Sequence, residues 1–178
     1  MNIFAVDRNP LAAARQLPDK HVVKMPLETC QMVSIIYSKW YHNWGQIYRA
    51  DGEPYATQKG AFRNHPCTVW AEKNEYNLAW LIAHGIHLCT EYYQRYDKVH
   101  ACAKPLFEAK KIFHQKIKQP ITIHCMVDKF ARAMPDEIKY DETIDDITAY
   151  RKYVNTKSWV KDNYVRIPER KPEWITNA

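Results

Sequence analysis

The sequence predicts a mostly α-helical single domain with long irregular loops, and three observations carry that expectation. Apolar residues recur at helical rather than alternating spacing. One set is Val22, Val23, Leu27, Met32, Val33, Ile36 and Tyr37; another is Trp70, Leu78, Leu81, Ile82, Leu88 and Cys89. Only four glycines are present, too few for an all-β fold built on tight turns or for a glycine-rich phosphate loop. The 178 residues are 46% hydrophobic and 26% charged, ordinary globular composition, so residues 1–178 read as one domain with its own core.

The opening Met1-Asn2-Ile3-Phe4-Ala5-Val6 is apolar and reads as a short extended segment. It meets Asp7 and Arg8 too soon to be a secretory leader. Asn9-Pro10 then opens a helix favoured by Leu11 and the alanines at 12, 13 and 14. Leu17-Pro18-Asp19 ends that helix and starts another, with Asp19 as the expected N-cap and a pattern running to Tyr37. Pro26 lies inside this pattern and removes a backbone donor, which predicts a kink or a split. Residues 43–66 form the longest loop, punctuated by Gly45, Asp51-Gly52, Pro54 and Gly60; a loop of that length is usually functional or mobile.

From Thr68 to about Arg95 the spacing predicts the longest helix, with Glu91 and Arg95 placed for an intrahelical pair. Another helix is expected over residues 105–118, followed by an irregular stretch over 119–142 that contains Pro120 and Pro135. A last helix is expected over roughly 141–160, and prolines break the tail over 166–178. No stretch is long and uncharged enough to suggest a membrane span, so no membrane partner is expected.

Five cysteines (Cys30, Cys67, Cys89, Cys102 and Cys125) are odd in number and never spaced as a CxxC pair. Free thiols in a reducing, cytoplasmic setting fit best. The net charge of +6 is unevenly spread. An acidic run from Asp136 to Asp146 masks a basic remainder, and a basic body favours polyanionic partners by counterion release. Twelve tyrosines and six tryptophans add rings that fill cores but also stack on bases.

Two clusters carry candidate chemistry. His21 and Glu28 are seven residues apart, two turns of a helix, with Lys24 between them on the same face and Lys20 beside His21. Such a stripe is most often a solvated face, yet Glu28 sits among Leu27, Cys30 and Val33, where an isolated acid is costly to bury. The second cluster is Phe62-Arg63-Asn64-His65-Pro66, at the end of the long loop. Arg63 offers a planar fork suited to phosphate, His65 exchanges protons near neutral pH, and Pro66 leaves neighbouring helix amides free for an anion. The plainer reading is that Asn64-His65-Pro66 only caps a helix. His84, His87 and Glu91 share one helical side, but they serve equally well as packing residues. The expectation is no metal and no cofactor.

Leu17-Pro18-Asp19-Lys20-His21 with Glu28 resembles the active-site helix of the pyrimidine-dimer DNA glycosylases, the T-even phage endonuclease V type. The segment from Leu78 to Arg95 looks like that family's long central helix. Gly60-Ala61-Phe62-Arg63-Asn64-His65-Pro66 looks like a segment common in its bacterial relatives. The resemblance covers about residues 15–37 and 60–97, and the shared order of the pieces is its best support. It implies a mostly helical enzyme that removes damaged pyrimidines and then cuts the abasic strand. The implied nucleophile is the N-terminal α-amine, which forms a Schiff base with the sugar, while a glutamate assists ring opening and elimination.

On this reading Glu28 is the catalytic carboxylate, His21 orients sugar or phosphate, and the amine at residue 1 is the nucleophile. It is assigned to Met1 because the bulk of Asn2 hinders removal of the methionine. Leu27 and Gln31 stand where the family carries phosphate-clasping arginines, so Lys20, Lys24, Arg63, Asn64 and His65 are the expected backbone grip. The expected partner is DNA, with a phage-encoded enzyme in the host cytoplasm as one setting. An enzyme for free or hypermodified pyrimidine nucleotides is the alternative. A third reading is a non-catalytic binder working through Trp159, Tyr164 and the basic residues Arg151, Lys152, Lys157 and Lys161.

Overall fold

A computed structural model describes residues 1–118 and 126–176; Pro120, His124 and Cys125 lie outside the described residues. Among the described residues the regular structure is entirely helical, with a single isolated β-bridge between Tyr48 and Pro54. The α-helices are α1 (Pro10–Gln16), α2 (Asp19–Tyr37), α3 (Pro66–Glu72), α4 (Glu75–Tyr96), α5 (Ala103–Lys116), α6 (Asp136–Lys139) and α7 (Asp146–Asn155). Short 3-10 turns lie at Ala56–Lys59, Val160–Asp162 and Pro168–Arg170. Among the described residues no helix is long and apolar enough to cross a membrane.

The centre is α4, which packs on α1, α2, α3 and α5. Leu78, Trp80, Leu81 and Leu88 supply its buried face against Val22, Met32 and Val33 of α2 and Leu106 of α5. Gly85 marks the closest approach: a Cβ there would lie 2.7 Å from the Thr29 methyl of α2 and 3.1 Å from Leu106 of α5. Residues 3–6 thread through the same core as buried irregular chain with no sheet partner, turning at Phe4, where the Val6 amide donates to the Phe4 carbonyl at 2.8 Å. Other backbone polar groups of the segment are met by side chains. Asn2 Oδ1 accepts from the Ile3 and Phe4 amides at 2.8 and 3.0 Å, and Arg151 Nε donates to the Val6 carbonyl at 2.9 Å.

Several boundaries depart from the sequence expectations, each for a local reason. Asp19 is the first residue of α2 and Pro18 is its N-cap. The Asp19 carboxylate turns away from its own helix to accept from the Val165 and Arg166 amides (2.9 and 3.2 Å) and from Arg95. The Lys20 amide is capped from a distance by Asn163 Oδ1 at 2.8 Å. Helix α2 is not split at Pro26 but continues across it as one element. In the turn the proline disturbs, His100 Nε2 donates to the Val23 carbonyl at 3.0 Å.

The helix expected from Thr68 to Arg95 is two helices. Asn74, in extended conformation, caps α4 by accepting from the Asn77 amide at 2.9 Å, so the apolar period runs across a break it does not register. Pro105 lies inside α5, in its first turn, where a missing amide costs nothing. The last helix is shorter than expected because Asp145 caps α7 through the Thr148 amide at 2.7 Å. The proline-broken tail is not loose. Trp174 Nε1 donates to Gln16 Oε1 at 2.7 Å, Ile175 is buried, and Arg170 reaches Glu91 on α4 at 3.1 Å.

A candidate active site at the N-terminus of the chain

Glu28 projects from the middle of α2 and is 8% exposed. Its Oε2 accepts from the Asn2 backbone nitrogen at 2.7 Å, and its Oε1 pairs with Lys24 Nζ at 3.1 Å, one turn earlier on the helix. A buried carboxylate with an amide on one oxygen and an ammonium at the other is compensated on both sides. The charged residue in the apolar stripe therefore faces the start of the chain.

Asn2 fixes that start. Its side chain accepts from two amides and donates through Nδ2 to the Ala133 carbonyl at 2.7 Å, so residue 2 is clamped from the far end of the sequence. Phe4 then takes a left-handed backbone (φ +39°) and stacks on His21 with ring centroids 4.1 Å apart. Trp159 closes the other side of His21 edge-on at 5.5 Å. His21 is thus buried between two rings, and burial followed by the nearby Lys157 and Lys24 charges pulls its pKa down to about 3. It is a neutral imidazole that helps hold the N-terminal segment on α2.

His65 arrives from the opposite side as the N-cap of α3, with Nδ1 accepting from the Cys67 amide at 3.2 Å. That amide, which the sequence left free for an anion, is therefore occupied. Burial lowers the His65 pKa first and the chain's terminal amine adds to it, while Glu28 works in the other direction. All three groups are within electrostatic reach of one another. With Nδ1 accepting, the ring proton of neutral His65 belongs on Nε2, which leaves one donor for a ligand.

The structure thus gathers Met1, Glu28, Lys24 and His65, with His21 packed behind them. It does not gather all the expected phosphate ligands around the carboxylate. Lys20 lies over the Trp159 ring at 4.5 Å. Arg63 stacks on Trp40 at 4.5 Å and donates to the Gly60 carbonyl at 3.2 Å. Asn64 is exposed on the loop between Arg63 and His65. Sequence reasoning missed the roles of Asn2 and Phe4, and it offered Trp159 only as a binding residue of the third reading rather than as a neighbour of His21, because no periodicity links residues so far apart. It also missed Arg49, which comes from the long loop to line a cleft of about 530 Å³ with Leu27 and Gln31.

The alternative metal reading finds no support. Among the described residues no cluster of three or more metal-type ligands occurs. Glu91 is committed to Arg95, Arg170 and Arg15, and His84 stacks on Trp80 at 4.7 Å. Cys30, Cys67, Cys89 and Cys102 are buried free thiols.

Comparison with known proteins adds one finding. A family model described as pyrimidine dimer DNA glycosylase matches residues 1–104, a span that contains Glu28, His65 and the start of the chain. No curated protein matches, and no solved structure matches.

Proposed function

The chain belongs to the pyrimidine dimer DNA glycosylase family, and on that premise we propose that it excises a damaged or modified pyrimidine from DNA and then nicks the abasic strand through an N-terminal amine. The observation that carries this reading is the 2.7 Å contact between Glu28 and the backbone nitrogen of residue 2. A carboxylate is held where an amine must work.

In the proposed sequence the neutral amine attacks C1′ of the target nucleotide as the base departs with the C1′–N bond pair. Glu28 stabilises the positive charge that develops on the sugar, then relays protons as the ring opens to the imine. Loss of a C2′ proton expels the 3′ phosphate and cuts the strand. His65 Nε2 donates to the sugar-phosphate backbone, and Lys20, Lys24, Arg63 and Asn64 grip flanking phosphates. Arg49 supports the same grip from the Leu27–Gln31 side. His21 acts by keeping residues 2–4 in place.

The position of Asn2 favours a second reading of the nucleophile. Its side chain is clamped without any help from Met1. If processing removes Met1, the amine of residue 2 takes the place of the amide already 2.7 Å from Glu28. Retained Met1 puts the amine one residue farther out. Buried free thiols suit a reducing compartment for either form.

Borohydride trapping on duplexes carrying abasic sites or pyrimidine dimers tests the proposal. A covalent adduct mapped by mass spectrometry to the first residue of the purified chain supports it and identifies which residue carries the amine. Absence of adduct and of strand cleavage, with turnover of free pyrimidine nucleotides instead, overturns it.

A further inference from the structure

The loop that delivers His65 carries a side chain that the chemistry above leaves unused. Phe62 is 57% exposed and sits at φ +61°, in the left-handed region that a phenylalanine rarely occupies. Its exposure means that no burial in this fold offsets the strain. The loop beneath it is nevertheless rigidly built. Gly60 (φ +105°) is seated on Trp40, so closely that a Cβ would lie 2.6 Å from the indole. Arg63 lies over the same ring, the Tyr41 hydroxyl donates to the Arg63 carbonyl at 2.5 Å, and the His65 amide donates to the Phe62 carbonyl at 3.0 Å. A strained residue held by surroundings that over-determine it is a feature of working surfaces.

The chemistry around the ring indicates what it meets. Residues 54–71 include Lys59 and Arg63 and no acid, and Lys39 lies 6.0 Å from the Trp40 ring. A single apolar ring projecting from a cationic loop fits a polyanion with an apolar interior, which is the make-up of stacked duplex DNA. His65, three residues on, caps α3 through the Cys67 amide and lies within electrostatic reach of the terminal amine and Glu28, so the ring is carried by the segment next to the candidate active site.

Resting on the reading that duplex DNA is the substrate, we propose that Phe62 is a wedge that enters the base stack beside the lesion and holds the stack open there. Trp40 and Arg63 are its buttress, and the lysines beside them hold the phosphates on either side. The wedge needs no new conformation of the loop, because the strained backbone already presents the ring.

The test uses dimer and abasic duplexes with 2-aminopurine beside the lesion, whose fluorescence rises on unstacking. Excision is measured on the dimer duplex and strand cleavage on the abasic one, each also with the same lesion inside a bubble of unpaired bases. Phe62→Ala is expected to lose the fluorescence rise and to slow excision about 10–100-fold on intact duplex, with a much smaller loss on the bubble. Phe62→Leu, still an apolar wedge, is expected to restore most of both signals. Phe62→Gly separates wedge from fold: glycine accepts φ +61° without strain, so it keeps the loop and is expected to behave like Phe62→Ala. Duplex excision and fluorescence at wild-type level in Phe62→Ala and Phe62→Gly overturn the wedge while leaving the glycosylase reading intact. A wild-type chain that neither excises nor traps on any of these DNAs overturns that reading, and the wedge with it.

Discussion

Glu28 and His21 share one helix face but do different work, and their surroundings decide which. The carboxylate keeps polar partners on both oxygens, whereas the imidazole is enclosed by Phe4 and Trp159. Glu28→Gln keeps the shape and removes the charge. It is expected to reduce single-turnover cleavage about 100- to 1,000-fold, the loss typical of removing a preorganised electrostatic group, while the Kd for a damaged duplex changes little. His21 and His84 make a second prediction. Burial is the leading cause that holds both pKa values down, to about 3. The unfolded chain takes up these protons near the ordinary histidine value while the folded chain stays neutral, so stability falls as pH drops through about 6.5 towards 3. Each histidine is expected to remove about 2 kcal/mol of unfolding free energy between about pH 7 and pH 5. Urea titrations at the two pH values check this, and His84→Phe should flatten the dependence by about half. At this scale the sequence indicates Glu28, His21 and His65 because spacing and local motif mark them. Asn2 and Trp159 leave no local mark, since tertiary contacts alone bring them to α2.

The helices were legible where an apolar stripe repeats, and their ends were not. The period through Trp70 and Leu78 is real on both sides of Asn74, and only the cap geometry reveals the break. Asn74→Ala removes that cap and is expected to cost about 1 kcal/mol in denaturant unfolding. Gly85 provides the complementary test. Alanine at an exposed helical glycine gains about 1 kcal/mol in propensity, but here the new methyl meets the stiff, buried Thr29 side chain at 2.7 Å. Overpacking of about 1–3 kcal/mol is the larger effect. Gly85→Ala is therefore expected to lower the thermal midpoint, and Gly85→Leu to lower it further. The same crossing holds α2 firmly against α4, which keeps Glu28 aimed at Asn2.

Across the whole molecule, charge is used in two ways. Three of the six acids in the run that lowers the net charge serve the fold. Asp145 caps α7, Asp146 accepts from the Phe130 amide at 2.6 Å, and Asp141 accepts from Thr143. With Lys20, Lys24, Arg49 and Arg63 as the proposed phosphate ligands, duplex affinity is expected to fall about a hundredfold or more between ~50 and ~200 mM salt. A nearly flat dependence would argue for a small-molecule substrate. A second set of charges is structural. Arg95, with its side chain fully buried, binds Asp19 and Glu91 and donates to the Leu17 and Arg15 carbonyls. Arg95→Ala removes the buried cation shared by Asp19 and Glu91, leaving Glu91 to Arg170 and Arg15 and Asp19 to two backbone amides, and is expected to cost about 3 kcal/mol in unfolding free energy. The clamp on Asn2 has a further implication for how the protein comes into being. A ribosome that has released the first hundred residues has already delivered the amine and its carboxylate. The Ala133 carbonyl that anchors Asn2 and the Trp159 ring behind His21 are still to be made. A nascent chain of that length therefore carries Glu28 and residue 2 without the contacts that align them, and glycosylase activity is expected only once synthesis is almost complete.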